Sequence, residues 1–216
     1  MDFSVIEVNT VDRLIFACEF NENPRIFMYD YDFNLIKTLT DVCTLEVARM
    51  VHDKVNDLLF VFCKCPEYEI RIIDIKTGKQ IEYENESIKI NDDFLDFRLD
   101  PSNPNLFGIL KKKKLEVYEW WKVGSWNKEA DQIEFKFNYN MSEFKLSDLS
   151  EEVGKEDLFS GFLWNKSNVF TVTTQEGYVG IVKVINFEKL QVIKLNNSIQ
   201  AALLTRKYLI LLENNM

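Results

Sequence analysis

The chain has 216 residues, of which 46% are hydrophobic and 28% are charged, and it carries a net charge of −9. This composition is typical of a globular protein. The acidic balance argues against nucleic acid and anionic membranes as partners, because both attract basic surfaces. The first residues carry neither the basic start nor the apolar run of a signal peptide. We therefore expect reduced thiols and a protein of the cytoplasm or of a compartment continuous with it.

A repeated strand pattern runs through the first half of the chain. Three apolar segments end in an acidic residue, at Asp30, Asp74 and Glu119, and these residues stand 44 and 45 positions apart. A period of ~40–45 residues built from short strands is typical of β-propeller blades. The sequence therefore predicts an all-β, WD40-like β-propeller with about four blades plus part of a fifth, incomplete as a single closed ring.

The predicted blades follow one another along the chain, at 3–40, 44–84, 94–138, 159–196 and, as a partial blade, 198–213. In the second of them, we expect strands at 44–48, 58–63 and 68–75, and an outer strand that begins with 80–83. Propellers protect their strand edges by closing into a ring. An incomplete last blade therefore predicts that a missing segment of a longer polypeptide, or a neighbouring chain, completes the propeller.

Residues 140–157 interrupt the period with a polar and acidic segment. We interpret this segment as an insertion with a short helix near Ser147. The carboxylates of Glu151, Glu152, Glu156 and Asp157 lack the ligand order of a calcium loop. We therefore expect a solvated loop and not a cation site.

The sequence offers little for catalysis or metal binding. His52, the only histidine, falls in a polar stretch at 51–54 that we interpret as a solvated turn, and no nucleophile-elbow motif is present. Cys63 and Cys65 form one pair, whereas structural zinc usually needs four ligands. Cys63 also ends an apolar strand, where it acts as a small hydrophobe. We predict no enzymatic activity, no metal and no cofactor.

One basic cluster stands out in this acidic chain: Lys111, Lys112, Lys113 and Lys114. The spacing of the flanking strands places it at a hairpin tip, where it would reach phosphate or an acidic protein tail such as that of tubulin. The alternative is a solvated turn whose charges discourage edge-to-edge strand pairing.

Three tryptophans follow that cluster. Adjacent residues of a strand face opposite ways, so we expect Trp120 in the core and Trp121 or Trp126 more exposed. Exposed tryptophan is a favoured interface anchor. Trp121 and Trp126 therefore join the four lysines as candidate partner-binding residues.

Several segments resemble those of a known family. They are residues 17–19 with Pro24 and 26–30, the Pro-acid-aromatic turn and strand at 65–74, the loop at 99–104, and Trp164 followed by the hairpin at 175–179. In this order, with the insertion between them, they resemble the cilia- and flagella-associated WD-repeat proteins, in particular the axonemal tether paralogues.

The resemblance implies a non-enzymatic scaffold of the ciliary or flagellar axoneme. Its expected partners are a WD-repeat paralogue, inner-arm dynein and doublet microtubule-associated proteins, with tubulin as a further candidate. The alternative is a cytoplasmic β-propeller adaptor in trafficking or ubiquitin ligation. In either case, the insertion and the lysine cluster are the regions that we expect to contact partners.

Overall fold

A computed structural model describes residues 3–9, 12–19, 23–42, 46–64, 68–127, 132–165, 168–195, 199–204 and 209–213. The chain divides into two compact units. The first unit comprises Met1–Asn91 and Trp121–Asn138, and the second comprises Asp92–Trp120 and Tyr139–Met216.

The first sheet of the first unit is a four-stranded antiparallel meander. Its strands are neighbours in chain order: β1 (Phe3–Asn9), β2 (Leu14–Glu19), β3 (Ile26–Asp30) and β4 (Leu35–Leu39). Phe16 and Ile26, on the two central strands, are fully buried, whereas Leu35 on β4 is exposed. All four strands fall within the first predicted blade, at 3–40.

The second sheet of the first unit has three strands, β5 (Val47–Asp53), β6 (Leu58–Cys63) and β7 (Glu69–Asp74). All of β6 is buried, as its uninterrupted apolar sequence predicts. The predicted turn at 51–54 is wrong, because β5 continues to Asp53. The Asp53 carboxylate accepts hydrogen bonds from the backbone N–H groups of Val55 and Asn56, at 3.0 and 3.3 Å. The turn therefore begins at Lys54, directly after the strand.

The predicted outer strand at 80–83 differs from the structure. Gln80 makes only an isolated bridge to Ile73 on β7. The two-residue strand β8 (Glu82–Tyr83) instead pairs in parallel with Lys136 and Phe137. Tyr83 is held there by its hydroxyl, which donates to the carbonyl of Ile70 at 2.7 Å, and by edge contact with the ring of Phe137. This pairing joins residues that are far apart in the sequence, so no local sequence pattern predicts it.

The second unit continues the succession of sheets. The strands are β9 (Phe94–Leu99), β10 (Leu106–Lys111), β11 (Lys114–Asn127), β12 (Gln132–Lys145), β13 (Phe159–Asn165), β14 (Val169–Thr174), β15 (Tyr178–Lys183), β16 (Lys189–Lys194), β17 (Ile199–Leu204) and β18 (Leu209–Glu213). β9 to β12 are neighbours in chain order, β13 to β16 form a four-stranded meander, and β17 pairs with β18. β11 and β12 have 14 residues each, and their portions within 121–138 belong to the first unit.

The segment that we interpreted as an insertion is partly regular structure. β12 continues to Lys145, so residues 140–145 are strand, and the helix expected near Ser147 is α1 (Leu146–Leu149). Phe144, Leu146 and Leu149 bury their side chains in the core of the second unit, which explains why this otherwise polar stretch is ordered. Asp157 is also buried, which corrects the expectation of a solvated side chain.

The first strands of successive sheets adjoin within each unit. In the first unit β1 lies against β5, and in the second unit β13 lies against both β9 and β17. Antiparallel sheets that adjoin along their first strands are typical of propeller blades.

Candidate functional site

The lysine cluster lies at a hairpin tip, as the sequence predicts. β10 ends at Lys111 and β11 begins at Lys114, so Lys112 and Lys113 form the turn between them. The main chain of the turn is fixed from both sides. The N–H of Lys112 donates to the carbonyl of Asp93 at 2.9 Å, and the carbonyl of Lys112 accepts from the N–H of Phe159 at 2.9 Å.

Lys111 is not a solvated side chain. Its ammonium lies 2.8 Å from Oε1 of Glu116, and the two side chains are only 7% and 5% exposed. Glu116 also accepts from the Lys114 ammonium at 2.8 Å and from the Tyr118 hydroxyl at 2.9 Å. Burial raises the pKa of Glu116, but the hydrogen bonds from Lys111 and Lys114 outweigh it, so the net pKa lies below the usual value of 4.5. The expectation that Lys111 is available to a partner is therefore corrected.

The other lysines of the tip meet the segment that follows β12. Lys113 donates to the backbone carbonyl of Lys155 at 2.6 Å and also contacts the carbonyl of Asp157. Lys114 pairs with Glu143 at 3.2 Å, and Lys145 pairs with the same carboxylate at 3.1 Å. The hydrogen bond from Lys145, followed by that from Lys114, lowers the pKa of Glu143. The hydrogen bond to Glu116 raises the pKa of Lys114.

These residues surround a cavity of about 500 Å³, which we call the lysine groove. Its charged lining residues are Asp93, Lys113, Lys114, Glu143, Lys145 and Lys155. The groove thus brings together the two regions that the sequence singled out, the lysine cluster and the segment 140–157. Lys145 and Lys155 were not among the predicted residues, because isolated lysines give no sequence signal until the fold places them beside the cluster.

Trp120 and Trp121 divide as the alternation of a strand predicts. Trp120 is 2% exposed, and its indole N–H donates to the carbonyl of Pro104 at 3.1 Å. Trp121 is 37% exposed and Trp126 is 58% exposed. The role of Trp121 and Trp126 in partner binding stays a prediction.

Trp126 is part of a larger apolar surface on the first-unit portion of β11 and β12. A Cβ atom on Gly124 would lie 3.2 Å from Ile133 and 3.3 Å from Phe135, which places these three residues on one face. The Lys122 ammonium lies 6.0 Å from the centre of the Phe135 ring on that face. The alternation of the strand adds Trp126. We call Trp126, Ile133 and Phe135 the aromatic ribbon; they are 58%, 55% and 51% exposed.

Sequence reasoning missed Ile133 and Phe135. They alternate with Glu134 and Lys136, which is the pattern of a half-buried strand. The pattern alone cannot show that the apolar face lacks a covering layer. The sequence signal that was available is the closeness of these two apolar residues to Trp126 in the chain.

His52 lies on β5, half-buried, with its ring centre 5.1 Å from that of Phe16. Burial lowers its pKa below the usual 6.5. Cys63 is fully buried at the end of β6, as predicted, whereas Cys65 lies outside the described residues. Within the described part of the chain, no three His, Cys, Asp or Glu side chains cluster as metal ligands would. None of the helices described there is long and apolar enough to cross a membrane.

Comparison with known proteins identifies the fold. No protein-family model matches the chain, and no curated protein matches it. Among solved structures, it is similar to the β-propeller domain of Cps50 (Swd1) from Myceliophteria thermophila, with a TM-score of 0.66 and 12% identity. The similarity covers 98% of this chain and 62% of that one. The chain therefore has the predicted all-β fold, a partial WD40-like β-propeller.

Proposed function

We propose that this protein is a non-enzymatic scaffold that binds other proteins through exposed faces of its blades. The observation that carries this proposal is the aromatic ribbon, where three large apolar side chains on one face of two adjoining strands are each more than half exposed. Contiguous exposed apolar surface rimmed by polar residues is typical of protein interfaces. Tryptophan is also among the residues that contribute most to binding when a partner covers them.

The finer proposal places the scaffold in the ciliary axoneme, where it holds inner-arm dynein and tether components. The support is the order of sequence elements that resemble axonemal WD-repeat proteins, together with a propeller fold that presents several surfaces at once. Its mechanism is recognition and positioning, with no chemical step.

The test is co-sedimentation of the purified chain with demembranated axonemes. The intact chain should sediment with them, and the double variant Trp126→Ser, Phe135→Ser should bind at least about fivefold more weakly, because two exposed anchors together are worth about 1 kcal/mol or more. The matched control is Phe33→Ser with Ile36→Ser, which removes two exposed apolar side chains, 76% and 51% exposed, elsewhere in the first unit.

Equal sedimentation of the two double variants would contradict the role of the ribbon. Failure of the intact chain to sediment, combined with ribbon-dependent capture of cytosolic proteins, would replace the axonemal proposal with the cytoplasmic adaptor.

A further inference from the structure

The lysine groove is a rigid surface with more cationic than anionic groups. The tip is anchored by main-chain hydrogen bonds, including one from the N–H of Leu146 to the carbonyl of Lys113 at 2.8 Å. The ammonium of Lys113 ties down the loop that contains Lys155. Because these elements are already fixed, a ligand that binds there loses little free energy to ordering the site.

The charges of the groove are incompletely balanced. Glu116 forms ion pairs with both Lys111 and Lys114. Glu143 forms ion pairs with both Lys114 and Lys145, so each carboxylate is shared by two ammonium groups. Lys113 contacts backbone carbonyls, which carry no net charge. Lys155 is exposed, and within the described residues its ammonium has no carboxylate partner.

We propose that the lysine groove binds an extended acidic peptide segment of a partner protein. This inference rests on the proposed scaffold function and names the chemistry of one of its partners. The lining carries four lysines against the two carboxylates of Asp93 and Glu143, and in a chain of net charge −9 this local excess of positive charge steers and orients an acidic partner. A cavity of about 500 Å³ also lies within the range of about 300–1,000 Å³ that is usual for ligand sites.

The lining favours a peptide over a phosphate group. Asp93 and Glu143 are among the lining residues, and their carboxylates repel a compact, densely charged anion. The backbone N–H of Lys112, which could otherwise help to cradle a phosphate, already donates to the carbonyl of Asp93. A peptide spreads its carboxylates along the chain and can lay aliphatic portions on Val153, which also lines the groove.

The probe is a fluorescein-labelled peptide of repeated Glu-Glu-Gly units, and its binding to the full chain is followed by fluorescence anisotropy at low and moderate salt. The variant Lys145→Gln with Lys155→Gln removes two lining charges. The control, Lys79→Gln with Lys189→Gln, removes two exposed lysines outside the groove. The groove variant should bind at least about twofold more weakly, because it removes two exposed ion pairs to the peptide, and the control should bind like the intact chain.

Three results would overturn the proposal: no peptide binding by the intact chain, equal weakening in both double variants, or displacement of the peptide by millimolar tripolyphosphate with tighter binding of tripolyphosphate itself. The ribbon variant Trp126→Ser, Phe135→Ser separates the two proposals. It should keep full affinity for the peptide, so failure of the groove leaves ribbon-dependent partner capture intact, and failure of the ribbon leaves peptide binding intact.

Discussion

The buried ion pair at the base of the lysine hairpin gives the sharpest stability prediction. Glu116→Gln keeps the size of the side chain but removes the negative charge that faces the Lys111 ammonium at 2.8 Å, where the two side chains are only 5% and 7% exposed. Removing one partner of a buried pair leaves an uncompensated charge and costs about 3–5 kcal/mol. That is a large fraction of the ~5–15 kcal/mol by which a typical domain is stable.

The assay is urea unfolding followed by tryptophan fluorescence. The control is Glu143→Gln, which breaks ion pairs to lysines from a side chain that is 33% exposed. It should cost less than about 1 kcal/mol, because water screens exposed pairs. The double variant Lys111→Met, Glu116→Gln should be more stable than Glu116→Gln alone, because it removes both buried charges together.

The reasoning is refuted if Glu116→Gln costs no more than Glu143→Gln. It is also refuted if the free-energy costs of Lys111→Met and Glu116→Gln simply add in the double variant, because additivity would mean that the two side chains do not interact.

Two further predictions test the packing of each unit. Burial holds the pKa of His52 below 6.5 in the folded chain, so as pH falls the unfolded chain protonates this side chain before the folded chain does. The free energy of unfolding should therefore decrease as pH falls from about 6.5 to the pKa of the folded state. His52→Gln should flatten this dependence, and the NMR titration of this only histidine should show a midpoint below 6.5; a midpoint at or above 6.5 would contradict the buried placement. In the second unit, a Cβ on Gly180 would lie 2.2 Å from Cδ1 of Leu149, so Gly180→Ala should destabilise by about 1–3 kcal/mol through overpacking. Adding Leu149→Ala should recover part of that loss relative to the sum of the single variants, and strict additivity in urea unfolding would show that helix α1 does not pack on β15.

The sequence was informative where a structural constraint repeats locally. The spacing of Asp30, Asp74 and Glu119 anticipated the succession of sheets, although only Asp30 and Asp74 end their strands and Glu119 lies inside β11. The lysine run was correctly placed at a hairpin tip. The turns at Gly78 and Gly177 have positive φ angles of 75° and 95°, as glycines in tight turns favour. These features depend on residues close together in the chain.

What the sequence did not show depends on distant parts of the chain. His52 is half-buried because β1 and β5 adjoin. The polar residues that flank His52 in the sequence do not predict this contact. The pairing of β8 with Phe137 and the burial of Phe144 also depend on contacts between residues that are far apart in the sequence. At the candidate site, the sequence predicted the lysine run. It did not predict that Glu116 pairs with Lys111 and buries it, so it could not show which lysines face outward.

The most direct test of the account is a hydrogen-exchange footprint of the chain bound to the axonemal partners proposed above. Binding should slow amide exchange in the portions of β11 and β12 that carry Trp126, Ile133 and Phe135, and in residues 143–155 beside the lysine groove. Protection confined to other strands, with these two surfaces exchanging as in the free chain, would contradict the claim that they are the partner-binding surfaces of this propeller.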